Sequence, residues 1–227
     1  MKKIIIIGAG AMGSAFTVPC IENKNEVTLV GTHLEDDLIK RIQSNNNFHP
    51  SLNIELPSKL NVEKFEKLSS ILEGEVDIIV AGVSSIGIKW FVDQISKNYK
   101  KNQPIILLTK GLAIEENELI TLSDKIKKIL KEKGHTEINV SAIKGPCLAA
   151  GLANKMRTGT VIANPDIKET MLLKKIISTD YYSTEISDDL TGIELSGAIK
   201  NIYSMLIGAS EGLSNSKAPK EIQSKYY

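Results

Sequence analysis

The N-terminal run Lys3-Ile4-Ile5-Ile6-Ile7-Gly8-Ala9-Gly10-Ala11-Met12-Gly13 joins four isoleucines to three glycines in a G-x-G-x-x-G spacing. An unbroken apolar run of this length suits a strand buried on both faces of a parallel sheet. It is too short for the hydrophobic region of a secretory signal, although Met1, Lys2 and Lys3 precede it. Gly8 permits a tight turn at the strand's end. Gly10 lets the backbone come close to a pyrophosphate, and Gly13 lets the next helix pack on the strand. The first N–H groups of that helix lack intrahelical partners and, with the helix dipole, face an anion. The first ninety or so residues are therefore expected to form a Rossmann-type dinucleotide-binding unit.

Outward from this loop, β-rich runs alternate with amphipathic segments. Strands are expected over residues 3–7, 27–31, 76–82, 104–109, 138–142 and 158–163, and helices over 11–23, 35–44, 86–98 and 116–133. Such alternation indicates an α/β fold, doubly wound, with a mostly parallel sheet and helices on both faces. Pro19 is expected to kink or end the first helix early, because it removes one intrahelical hydrogen bond. From Asp188 to Leu213 the pattern becomes continuously helical, with Leu190, Ile193, Leu195, Ile199, Ile202, Leu206 and Ile207 at helical spacing. Gly192, Gly197 and Gly208 lie inside it. A glycine costs roughly 1 kcal/mol against alanine in a helix interior, so close neighbours are expected at these positions.

The expected division is a dinucleotide-binding domain over residues 1–187 and the first helix of an incomplete all-α C-terminal domain over 188–227. One helix cannot bury its own apolar face. A missing C-terminal helical partner or a homodimer is expected to cover it. The polar run from Lys217 to Tyr227 follows.

The 28 basic and 27 acidic side chains leave a formal charge of +1, which argues against a surface built for nucleic-acid phosphates. No stretch approaches the ~20 apolar residues of a membrane span. Cys20 and Cys147 are far apart, and the histidines at 33, 49 and 135 are scattered. Free thiols in a reducing, cytoplasmic setting are expected, without a metal site.

Three places invite chemistry. After the second strand stand Thr32 and His33, while Glu35, Asp36 and Asp37 come a few residues late for the acid that binds an adenosine ribose. Thr32 and His33 are left to bond a ribose hydroxyl or a 2′-phosphate, so NAD and NADP both stay open. Lys110 lies where an expected strand ends, the edge at which open parallel sheets bind ligands, and it can bond a substrate oxygen. Lys144-Gly145-Pro146-Cys147 occupies a similar junction. The small residues Ala149, Ala150 and Gly151 beyond it leave room for a nicotinamide ring. Lys200 follows Gly197, Ala198 and Ile199, so its stem is expected to run through apolar surroundings. Burial and a neighbouring Lys110 would each lower its pKa toward proton exchange near neutrality.

Together these segments resemble the NAD(P)-dependent sn-glycerol-3-phosphate dehydrogenase family. The matching pieces are residues 8–15, 27–31, 109–112, 145–149 and 192–202, in the family's order. The last, with its Gly197-Ala198-Ile199-Lys200-Asn201 helix, is the most specific. The resemblance implies hydride transfer between NAD or NADP and dihydroxyacetone phosphate, giving sn-glycerol 3-phosphate, a phospholipid precursor. It implies Lys200 as proton donor and acceptor, Lys110 as a substrate-binding and polarising residue, and Asn201 as an orienting residue. It places Gly145 and Cys147 at the substrate. Gly8, Gly10, Ala11, Met12, Gly13, Thr32, Lys110 and Ala149 would then lie at the cofactor. The chain departs from the family at Gly151, where an acid is usual, and at Cys147, where Ser or Thr is usual. Nothing in it matches the family's later aspartate and Arg-Asn pair, so dinucleotide binding with weak or absent turnover is expected. Two other readings fit the Rossmann unit and lone helix. One is a related reductase such as ketopantoate reductase. The other is a non-catalytic dinucleotide-binding module that needs a helical partner.

Overall fold

A computed structural model describes residues 1–214; the polar run from 217 to 227 lies outside the described residues. In β1 (Lys3–Ile7), Ile4 and Ile6 join one apolar cluster, and Ile5 and Ile7 join another. Side chains alternate across a strand, so a strand in the middle of the sheet fills two cores at once, and no polar residue interrupts the run.

From the glycine turn the chain passes through α1 (Ala11–Glu22), β2 (Glu26–Val30) and α2 (Asp36–Ser44). The strands β3 (Phe48–His49) and β4 (Ile54–Glu55) pair only with each other, and β5 (Asn61–Glu63) returns to the main sheet. Next come α3 (Leu68–Glu73), β6 (Ile78–Ala81), α4 (Ile88–Ile95) and β7 (Pro104–Leu107). A hairpin of β8 (Leu112–Glu115) and β9 (Glu118–Thr121) precedes α5 (Leu122–Glu132) and β10 (Asn139–Lys144). The remaining elements are α6 (Ala149–Ala153), β11 (Thr158–Ala163), α7 (Ile167–Ile177), β12 (Tyr182–Ser187) and α8 (Leu190–Ser214).

The main sheet runs β12-β11-β10-β7-β6-β1-β2-β5. Its pairs are parallel except for β10 with β11. From β1 the chain moves outward through β2 and β5, then comes back to β6 on the other side of β1. The strand order therefore reverses beside β1, and a crevice opens at the carboxyl ends of β1 and β6. On one face, Phe16 and Cys20 of α1 pack with Leu152 of α6 and Leu173 of α7. On the other, Phe91 and Val92 of α4 pack with Ile126 and Leu130 of α5.

Three expectations change. Residues 116–121 are not helical: they belong to the β8–β9 hairpin, turned by Glu116 and Asn117 at φ 51° and 66°. Two successive left-handed residues make a tight hairpin turn, which asparagine tolerates well. The helix starts only at Leu122, where the Thr121 hydroxyl accepts the Asp124 N–H at 3.1 Å. Pro19 does not end α1, which continues to Glu22; the helix forgoes only the bond that Pro19 would have given to Ala15. In α8, Gly197 does lie against a neighbour, the aliphatic stem of Lys144, and Gly192 lies against Asp189, but Gly208 faces open space.

The helix α8 enters the fold through Leu190, which packs with Ala142 and Ala163. Further along, Ile202, Met205, Leu206 and Ile207 are exposed among the described residues. Among the described residues no helix is long and apolar enough to cross a membrane.

Candidate functional site

Register brings the glycine turn against the start of the next loop. Ile7 pairs with Val30 on one side and Ala81 on the other. The Gly8 N–H donates to Val30 O, and the Gly82 N–H to Ile7 O, both at 2.8 Å. Gly8 has φ +110°, and a Cβ on it would stand 2.7 Å from Gly82. A Cβ on Gly13 would stand 2.1 Å from the Gly8 carbonyl oxygen. These two glycines are required by packing. Gly10 differs: the nearest atom to a Cβ there is Glu35 Oε1, at 3.9 Å. Its open side faces the crevice. The first intrahelical donor of α1 is the Ser14 N–H, bonded to Gly10 O at 3.0 Å. The geometry of a helix start thus leaves the Ala11, Met12 and Gly13 N–H groups free of intrahelical bonds.

Two side chains that sequence reading did not assign to this loop hold it in shape. Buried His49 takes the Leu52 N–H on Nδ1 at 3.2 Å, so its Nε2–H donates to Ala9 O at 3.0 Å. Glu35 accepts the Ala9 N–H at 3.0 Å and the Thr32 N–H at 2.8 Å, both on Oε2. The Thr32 hydroxyl accepts the Leu34 N–H at 3.4 Å. His33 stacks obliquely on Trp90, with ring centroids 5.1 Å apart, and Trp90 in turn meets Phe65 at 5.5 Å.

A crevice of ≈ 410 Å³ runs from Gly10, Ala11 and Met12 past Val83 and Ser85 to Thr109 and Lys110. Met12 and Lys110 also border a deeper recess lined by Gly145, Cys147, Thr160 and Tyr182. Gly145 in turn borders a cleft under α8 lined by Lys144, Gly197 and Lys200. The expected cofactor loop and the expected lysines therefore line three neighbouring cavities linked by shared lining residues, Met12 and Lys110 between the first two and Gly145 between the last two. Ala149 begins α6 and packs toward the core, and Asn201 is exposed on α8; neither lines these three cavities.

The Lys110 amine reaches Gly145 O at 3.5 Å. Partial burial first, and the nearby Lys200 charge second, hold its pKa below the ordinary lysine value. Burial pushes the Cys147 thiol up, so it stays neutral, although Thr158 and Lys110 oppose the shift. Lys200 is exposed, contrary to the expectation of an apolar sheath. The first turns of α8 spend their buried positions on Leu190 and Glu194 instead. Lys144 takes the buried place: it is 4% exposed, and its amine donates to Leu107 O at 3.1 Å. Burial lowers its pKa to about 8, against the raising influence of Glu194. Glu194 is itself fully buried, with Oε1 accepting the Ser123 N–H at 3.2 Å. A charged residue in the last position of a fully buried and otherwise uncharged strand is the signal that could have marked Lys144.

Among known proteins, residues 3–170 match the family model described as NAD-dependent glycerol-3-phosphate dehydrogenase N-terminus. An NADP(+)-dependent glycerol-3-phosphate dehydrogenase of Archaeoglobus fulgidus is 33% identical over 216 residues, which cover 94% of this chain and 62% of that protein. A glycerol-3-phosphate dehydrogenase [NAD(P)+] of Mesoplasma florum is 32% identical, covering 88% of this chain and 58% of its own length. This chain therefore spans less than two thirds of either relative. The fold matches a solved Plasmodium falciparum glycerol-3-phosphate dehydrogenase with a TM-score of 0.81 at 21% identity, over 99% of this chain and 62% of that one.

Proposed function

We infer the function from one premise: this chain belongs to the family of NAD-dependent glycerol-3-phosphate dehydrogenases. The proposed activity is reversible hydride transfer between NAD(H) or NADP(H) and the pair dihydroxyacetone phosphate and sn-glycerol 3-phosphate. The observation that supports it best is that neighbouring cavities with shared lining residues run from the glycine turn and Lys110 to Lys144 and Lys200.

The residues present suit a dinucleotide. The open side of Gly10 leaves room for a pyrophosphate, and the free N–H groups at the start of α1 supply donors to it. When bound, the nicotinamide supplies hydride to the carbonyl carbon or takes it back from the alcohol. The protein's part is electrostatic and protonic. Lys110 polarises the C2 oxygen and stabilises the alkoxide charge that develops on it. Lys200 delivers the proton that turns this alkoxide into a hydroxyl, and recovers it in the reverse direction. Lys144 adds positive potential from beneath, which suits a phosphorylated substrate. The Gly145 backbone and the neutral Cys147 thiol line the substrate's side without adding negative charge.

Binding tests this reading directly. NADH is expected to quench the fluorescence of Trp90, the single tryptophan. Dihydroxyacetone phosphate should tighten NADH binding, and ketopantoate should not. Lys110→Met is expected to weaken the ternary complex by about tenfold or more, the scale of a lost charge-assisted contact. Preferential response to ketopantoate would overturn the substrate assignment in favour of the related reductases.

A further inference from the structure

Three elements meet at Lys144. It is the last residue of β10, and its aliphatic stem runs under Gly197 of α8: a Cβ on that glycine would stand 3.0 Å from Lys144 Cδ and 3.2 Å from Cγ. Its amine donates to Leu107 O, at the end of β7, at 3.1 Å. Gly197 lies three residues before Lys200, and Leu107 three residues before Lys110. One buried side chain therefore braces both elements that carry the two lysines given chemical roles above.

One turn earlier on α8, Glu194 is fully buried. Its Oε1 accepts the Ser123 N–H at 3.2 Å, in the first turn of α5, while Oε2 is buried without a hydrogen-bond partner. A carboxylate satisfied only in part is a poor stabiliser, and an apolar side chain of similar size would cost less to bury. What Glu194 supplies is register: its charge acts on the Lys144 amine, and its bond to Ser123 breaks if α8 turns. Register in turn decides where Lys200 lies. Leu190, Glu194 and Gly197 follow one another at helical spacing along the side of α8 turned to the fold. Ile193, Ser196, Gly197, Lys200 and Ser204 line the adjoining cleft. Each residue advances an α-helix by about 100°, so a slip of one position would carry Lys200 out of that cleft.

We propose that Glu194 and Lys144 are positioning residues, which seat the first turns of α8 so that Lys200 is held at the cleft and near Lys110. That the two lysines then serve one substrate rests on the function proposed above.

The test reads Lys110, whose pKa is lowered by partial burial and by the Lys200 charge. The 227-residue protein is trace-acetylated with acetic anhydride at stepped pH, and Lys110 is followed by mass spectrometry of its peptide. In Glu194→Ala, α8 is expected to leave its seat and Lys110 to return toward the ordinary lysine value. Its labelling at pH 8, relative to pH 11, should fall by about threefold or more. Charge alone gives the opposite sign, because loss of a carboxylate favours the neutral amine and raises this labelling. Gly197→Leu leaves every charge in place and pushes α8 off the Lys144 stem, and the same fall is expected. If Glu194→Ala does not fold, Gly197→Leu decides alone. An unchanged profile in Gly197→Leu, or unchanged or raised labelling in a folded Glu194→Ala, would overturn the proposal. The readout needs no ligand. Failure of dihydroxyacetone phosphate to tighten NADH binding by the unsubstituted protein, with the labelling shifts present, would overturn the proposed function and leave the seating of α8 standing.

Discussion

Replacing Gly13 by alanine should destabilise the protein by about 3 kcal/mol, the upper range for forcing an atom into packed structure. The new Cβ would sit 2.1 Å from the Gly8 carbonyl oxygen. Both positions are set by backbone, so no rotamer relieves the clash, and either α1 or the turn must move. Moving the turn breaks the Gly8 bond to Val30 and the Gly82 bond to Ile7 that align three strands. Gly10→Ala should behave in the opposite way. Gly10 has φ −62° and ψ 171°, which alanine adopts freely, and no atom comes closer than 3.9 Å to its Cβ position. Stability should stay within about 0.5 kcal/mol, while NADH affinity falls by about tenfold or more because a methyl occupies the approach to the pyrophosphate. Urea unfolding and Trp90 titration on the two variants measure both effects. Equal losses of stability in the two would show that the glycines have one shared structural role.

A second large effect concerns pH. Lys144 titrates at about 8 in the folded protein against an ordinary lysine value of 10.5. Below pH 8 its amine is charged in both folded and unfolded states, and the folded state bears the full cost of burying that charge. Between about pH 8 and 10.5 the folded state releases the proton while the unfolded chain still holds it. Stability attributable to Lys144 therefore rises with pH across that window. The gap in pKa corresponds to about 3 kcal/mol. Lys144→Met removes the titration and leaves a constant offset from the lost bond to Leu107 and the uncompensated Glu194. The unfolding free energy of the parent minus that of Lys144→Met should accordingly climb by about 3 kcal/mol from pH 7 to pH 11. Denaturant curves at stepped pH follow this difference, and a flat difference would mean that Lys144 titrates as an ordinary lysine.

Much of the frame could be read from local pattern. Ile4 to Ile7 and the three glycines each have a short-range reason for being where they are, and that reason is also the reason for the fold. Lys110 was legible for a similar cause, since the end of a buried parallel strand is a ligand-facing edge wherever the rest of the chain goes. The β8–β9 hairpin was not legible. The charged residues around Glu115, Glu116, Glu118 and Lys125 suit a helix surface as well as a hairpin, and the choice rests on Asn117 adopting a left-handed turn. Lys200 is exposed where its sequence context implied apolar surroundings, and Lys144 is the buried lysine. Small neighbours at Gly197 and Ala198 do make a close approach, but what comes close is the stem of Lys144 rather than an apolar sheath for Lys200.

The sequence by itself determined a strand, a glycine turn and a helix suited to a pyrophosphate, because these depend on side-chain period and backbone sterics within a dozen residues. Tertiary structure decided which carboxylate bonds the turn, which lysine is buried, and that the glycine loop and the lysines line neighbouring cavities. Glu35 reaches Ala9 across 26 residues, and Lys144 reaches Leu107 across 37. Contacts at that separation exist only once the strands have taken their order, and no local preference of either residue encodes them.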